Sequence, residues 1–226
     1  MTSEHYRDIL DWDVENWSKT LPFWMEKTRL DLSKCYALDI GAYNGGISLF
    51  LALNGANVVC SDVKGPTKKA KTIHEKYDVA SRISYASVDA LAIPFPDNSF
   101  DLVTFKSVMG DRGTYCQREK MMREIYRVLK PHGELWFAEN LRGSALHMMA
   151  RTFSHHRTWH YFTANEIIAL CEPFSVKNFR FYGCLAVFGR YYIIQTILGK
   201  IDRFFDAVIP SRWKYILFGV VKKGSK

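Results

Sequence analysis

Leu38-Asp39-Ile40-Gly41-Ala42-Tyr43-Asn44-Gly45-Gly46 joins an apolar run, Tyr36 to Ile40, to an apolar run that continues through Ala52. The first run predicts a buried parallel strand and the second a helix, with glycines in the turn between them. Such a turn lets backbone approach a ligand at a helix N-terminus. Asp39, at the end of the strand, separates the ligands that could sit there. A pyrophosphate would face its carboxylate, whereas a ligand carrying an ammonium and a sulfonium would be held by it. Tyr43 also breaks the Gly-x-Gly-x-x-Gly spacing of dinucleotide sites. The pattern favours a cationic ligand over a diphosphate and speaks against a nicotinamide oxidoreductase.

Further acids fall at the ends of further strands. Val58-Val59-Cys60-Ser61-Asp62 is a second buried strand, ending in an acid about 20 residues after the first glycine, the position that hydrogen-bonds ribose hydroxyls. Ser87-Val88-Asp89-Ala90 closes a third. Ile93-Pro94-Phe95-Pro96-Asp97-Asn98-Ser99-Phe100-Asp101-Leu102-Val103 runs into a fourth, and Glu124 to Leu135 reads as helix, turn and fifth strand.

In this order and spacing the chain resembles class I S-adenosylmethionine-dependent methyltransferases, in the small-molecule, ubiquinone-biosynthesis-type (methyltransferase type 11) group. Asp39, Gly41 and Gly45 match that family's acid-x-Gly-x-Gly-x-Gly motif. Tyr43 replaces the middle glycine, with Gly46 expected to supply the lost freedom, and His132 stands where a glycine is usual. The resemblance spans about residues 30 to 140. It implies S-adenosyl-L-methionine as cofactor, with contacts from Asp39, Gly41, Ala42, Tyr43, Gly45, Asp62, Val63, Asp89, Ala90 and Lys106. Asp89 would hold the adenine amine.

The elements that must position these residues alternate. Strands near 36–40, 57–61, 83–88, 101–105 and 133–139 are separated by helices near 45–53, 66–77 and 117–128. That alternation implies a parallel sheet covered on both faces, and the resemblance implies the full α/β fold, a Rossmann-like, seven-stranded, mostly parallel sheet with the last strand antiparallel and helices on both faces. Ligands then sit beyond the carboxyl ends of the strands, where the motif acids fall. Residues 1–34, rich in aromatics and expected to be helical over Asp11–Lys19 and again from Thr20, form an N-terminal cap before a domain at 35–226. Ser175–Tyr182 and Tyr215–Val221 read as the closing strands. About 30 residues separate them, and within 184–214 apolar residues recur at helical spacing among Arg and Lys. That insertion reads as a packing helix, a lid or a basic amphipathic element on a membrane.

Methyl transfer to a hydroxyl gains from a general base. Asp111, Glu139, His147, His155, His156 and His160 lie on the loops after strands four and five, and His156 with Asp111 are the expected catalytic pair. His156 and His160 are four apart, but no third ligand completes a zinc motif and no metal is expected. Oxygen on a small molecule, sugar, lipid-linked glycan or natural-product intermediate is the expected acceptor, by analogy with the resembled group. The alternative is a catalytically silent S-adenosylmethionine-binding interaction module.

The 226 residues are 48% hydrophobic with formal net charge +8. That content fits one domain with a sizeable core, and the charge suits acidic partners or a solvated basic surface. Lys64, Lys68, Lys69 and Lys71 lack interleaved aromatics, so nucleic acid is not expected. A homodimer is a further expectation for the insertion. Five scattered cysteines and a first segment without a basic-then-apolar layout point to the cytoplasm.

Overall fold

The computed structural model describes residues 3–110, 113–152, 159–189 and 191–225. Seven strands form one sheet: β1 (Tyr36–Ile40), β2 (Asn57–Asp62), β3 (Ile83–Ser87), β4 (Phe100–Lys106), β5 (Leu129–Asn140), β6 (Val176–Tyr182) and β7 (Ile216–Lys222). Their order is β3-β2-β1-β4-β5-β7-β6. Only β7 runs against its neighbours, pairing antiparallel with both β5 and β6. Apolar residues alternate between the two faces. Ala37, Leu102 and Trp136 join the core on one side, and Leu38, Val103 and Leu135 the core on the other. Strands this apolar must be covered twice, as the continuous hydrophobic runs foretold.

Helices α1 (Ser3–Leu10), α2 (Val14–Trp17), α3 (Thr20–Lys27) and α4 (Gly46–Leu53) contribute to the first core. Helices α6 (Tyr115–Val128) and α8 (Ala164–Leu170) contribute to the second. Between them in sequence come α5 (Lys68–Lys76) and α7 (Ala145–Thr152), and α9 (Tyr192–Phe205) lies between β6 and β7. Thr163 and Glu166 form a capping box that starts α8.

The helix expected over Asp11–Lys19 is broken. Asp11 and Asp13 take left-handed backbone, φ 64° and 43°, so α1 ends at Leu10 and α2 begins at Val14. Short polar side chains visit that region most readily. Asp11 is held there by Asn44 at 3.1 Å and Lys69 at 3.1 Å.

Both departures from the family's glycines keep the glycine's backbone. Tyr43 has φ 46° and His132 φ 65°, each at a cost of roughly 1–2 kcal/mol for a residue with a Cβ. The freedom expected from Gly46 is therefore not what that residue supplies. Gly46 has no left-handed φ; it makes room for α1, because a Cβ there would lie 2.0 Å from the Ile9 carbonyl oxygen.

Candidate active site

The strand order reverses between β1 and β4, and the crevice opens at their carboxyl ends. A cavity of about 700 Å³ occupies it. Asp39, Gly41, Ala42, Tyr43 and Lys106 line this cavity, together with Gly46 at the start of α4. Gly45, with φ 73°, precedes Gly46 and turns the chain into the helix. Asp62, Val63, Asp89 and Ala90 are not part of the cavity wall. Asp62 ends β2 and accepts from the Tyr43 N–H at 3.1 Å, which ties the strand end to the turn. Val63 is exposed beside it. Asp89 is also exposed and accepts from the Leu91 N–H at 2.9 Å.

Asp39 is 1% exposed. Its carboxylate accepts from Ser48 Oγ at 2.7 Å and Thr104 Oγ1 at 3.0 Å. Burial pushes it up from 3.8 to about 6 against those hydrogen bonds, because a charge in an apolar wall loses its hydration. Lys106 closes the same floor from β4. Its ammonium donates to the Leu10 carbonyl at 3.2 Å and lies 5.2 and 5.0 Å from the Trp12 and Trp17 rings. Burial lowers it to about 8, with Asp11, Glu139 and Asp39 acting the other way. The N-terminal segment is thus fastened over the cleft by an ammonium between two indoles.

The candidate bases were chosen by residue type, and the structure assigns several of them other work. Glu139 is fully buried and pushed up to about 7 by desolvation. Its Oε2 accepts from the Val108 and Met109 N–H groups, each at 3.0 Å, and Oε1 accepts from the Asn140 N–H. It pins the loop after β4. The His147 ring accepts at Nδ1 from the Ser144 N–H at 3.0 Å and donates from Nε2 to the Cys184 carbonyl at 2.7 Å. Both nitrogens are committed and burial keeps the ring neutral, so His147 is an anchor between α7 and the segment after β6. His160 lies outside any helix, 3.3 Å from Glu166, which removes the helical spacing considered for a zinc pair. Asp111, His155 and His156 lie outside the described residues.

The remaining wall is aromatic and cationic. Trp12, Trp159, Tyr161 and Phe188 line it with Arg151. Arg151 donates from Nη1 to the Leu141 and Arg142 carbonyls at 2.8 Å, and its guanidinium lies 3.6 Å from the Tyr161 ring centre. The buried Trp159 indole N–H has no acceptor among the described residues. No local motif announces these residues; they meet only because α7 and the segments at 159–162 and 184–189 converge on the crevice.

Strand order, an acid–glycine turn on β1 and a cleft at the β1–β4 reversal together define the class I Rossmann-like methyltransferase fold. Residues 38–137 match the family described as methyltransferase domain, and this segment is a class I S-adenosylmethionine-dependent methyltransferase domain. The chain is 34% identical over 106 residues to the ubiquinone/menaquinone biosynthesis C-methyltransferase UbiE of Citrobacter koseri, covering 45% of this chain and 41% of that protein. It therefore spans about two fifths of the length of such relatives. In shape it is similar to phosphoethanolamine N-methyltransferase 2 of Haemonchus contortus (TM-score 0.69, 19% identity, 98% of this chain and 56% of that one). It is likewise similar to a SAM-dependent methyltransferase of Methanosarcina mazei (TM-score 0.66, 19% identity, 91% and 98%). At such identity the likeness concerns the fold alone.

Proposed function

We propose that this chain transfers the methyl group of S-adenosylmethionine to a small, largely apolar acceptor, and that the cleft beyond β1 and β4 is where it does so. The observation that carries this reading is Asp39, a buried carboxylate at the cavity floor that ordinary folding would neutralise or exclude. Lys106 offsets its charge only in part, since burial still holds the carboxyl up at about 6, and a cationic cofactor would offset more. When bound, S-adenosylmethionine supplies an electrophilic methyl on a sulfonium. The chain's own part is to bind and align. In this reading Asp39, Gly41, Ala42, Tyr43 and Lys106 hold the cofactor from the cavity, and Gly45 shapes the turn that leads into α4. Asp62, Val63, Asp89 and Ala90 hold it from the strand ends beyond, Asp62 through ribose hydroxyls. His156 and Asp111 remain the proposed catalytic pair. Alignment in a closed cleft can supply much of the rate of an in-line displacement.

The acceptor faces Trp12, Trp159, Tyr161 and Phe188, which suits a flat or apolar body, and Arg151 suits an acidic or carbonyl group upon it. The Trp159 N–H offers an acceptor oxygen a donor. Oxygen as the methylated atom, expected from the resembled group, gives way in this proposal to carbon, because the curated relative is a C-methyltransferase. Residues 1–34 act as a cap and 184–214 as a cover that reaches the cavity through Val187 and Phe188.

The test is incubation with methyl-labelled S-adenosylmethionine and a total lipid extract of the source cells. Label is expected in the organic phase, on carbon by fragmentation. Asp62→Ala should cut cofactor affinity by about 1–3 kcal/mol, since ribose hydroxyls lose their acceptor, and the labelling at limiting cofactor with it. Cofactor binding without transfer to any acceptor would identify a silent interaction module instead.

A further inference from the structure

The last third of the chain carries most of its exposed grease. Among the described residues, 14 of the 21 exposed large hydrophobics lie from Leu146 to Trp213. On α9, Ile193, Ile197 and Phe204 are 72%, 53% and 81% exposed, and Val208 just beyond is 72% exposed. They recur at intervals of four, seven and four, so that the three on the helix share one outward face and Val208 continues it.

The charges of the same element are sorted by sign. Asp202 is buried and accepts from the Leu185 and Ala186 N–H groups at 2.7 and 3.0 Å and from Asn16 at 2.9 Å. Asp206 is paired with Lys214 at 2.6 Å and Arg180 at 3.5 Å. Lys200, Arg203 and Arg212 remain exposed. Toward solvent this segment therefore presents apolar side chains flanked by cations, with its two acids turned inward.

The position of this face matters as much as its chemistry. The short helical turn Ala186–Phe188 packs on α9, and Val187 and Phe188 line the cavity. His147 joins that turn's approach to α7, whose Leu146 is 62% exposed. Thus α7, which lines the cleft, and α9, which packs on the turn that lines it, both carry exposed apolar residues.

We infer that the outer face of α9, with Leu146 of α7, docks the protein on an anionic phospholipid surface, so that the acceptor enters the cleft from the bilayer. The inference rests on the proposed methyl transfer for the identity of what enters, but docking itself needs no cofactor. A second copy of the chain is a poorer occupant. A two-fold contact through this face would set Lys200, Arg203 and Arg212 of two copies together with no outward acid in the segment to pair them. Apolar insertion with a basic flank is the physical signature of an interfacial helix.

The test is cosedimentation of the full chain with vesicles of phosphatidylglycerol and phosphatidylcholine, against phosphatidylcholine alone, at low and high salt. Binding is expected to the anionic vesicles only and to fall with salt. The pairs Ile197→Glu/Phe204→Glu and Lys200→Glu/Arg203→Glu should each lower partitioning by roughly tenfold or more. Affinity for S-adenosylhomocysteine should stay within about twofold, because additivity holds for distant sites. Wild-type protein that ignores anionic vesicles, or variants that bind them as well as wild type, would overturn the inference. So would a dimer that these substitutions disperse without any vesicle binding, which makes the face a contact between copies. Loss of S-adenosylhomocysteine binding by the wild type, with vesicle binding intact, would overturn the methyltransferase reading and leave docking standing.

Discussion

Replacing Asp39 with Asn is expected to raise the stability of the fold and to cripple cofactor binding. The carboxylate is fully buried, and desolvation pushes it up from 3.8 to about 6. The folded chain thus holds this proton more tightly than the unfolded chain does. The group's contribution to stability is greatest at low pH, falls as pH rises from about 4 to about 6, and stays low above that. Above pH 6 the wild type carries the unfavourable charge, and Asn removes it while one amide can still bond Ser48 and Thr104. A gain of roughly 2 kcal/mol is expected at pH 8, read as a shift in urea midpoint at constant slope. Binding moves the other way, because the cation of the cofactor loses its counter-charge; about 1.5–3 kcal/mol should be lost. Cofactor affinity of the wild type should also rise with pH up to about 6 and level off beyond, since binding a cation draws the proton off Asp39. If Asn destabilises the chain and leaves affinity unchanged, Asp39 is a structural acid and not a counter-ion.

The second large effect is expected at Gly46→Ala. The added Cβ would sit 2.0 Å from the Ile9 carbonyl oxygen and 2.6 Å from its carbon, both backbone atoms that no side-chain rotation can move. Forcing α1 away should cost about 1–3 kcal/mol. It should also withdraw Leu10 and Trp12 from Lys106, whose ammonium is held by the first and covered by the second. Two readouts check it: a lower thermal midpoint, and faster proteolysis at the left-handed corner around Asp11 and Asp13. A variant as stable and as resistant as the wild type would mean that α1 does not bear on the glycine turn.

What could be read from the chain follows from range. The sheet was legible because strand runs, glycine turns and strand-end acids are local patterns, and β1 carries all three. The left-handed residues at Tyr43 and His132 were marked by the family's glycines at those positions. Contacts made across the chain left no such trace. Lys106 meets Trp12 and Trp17 from about 90 residues away, and no periodicity encodes that meeting. The same holds for the buried group in which Tyr215 donates to Asp13 and Asn16 donates to Tyr215 at 2.8 Å and Asp202 at 2.9 Å. It ties the N-terminal segment, the approach to β7 and α9 together. Desolvation holds Asp13 at about 7 there. Glu139 and His147 were misread for a related reason. Residue type announces a base, but only the structure shows that backbone groups already occupy the carboxylate and the ring. In α9 the helical spacing was legible, whereas the inward turn of Asp202 and Asp206 needed the packed chain.

The central claim is that the crevice at the β1–β4 reversal holds S-adenosylmethionine through Asp39 and its neighbours. Calorimetric titration with S-adenosylhomocysteine tests it most directly. The expected result is binding at one site per chain, weakened by Asp39→Asn and by Asp62→Ala. No heat at high micromolar ligand, from protein whose fold is intact by circular dichroism, would contradict it.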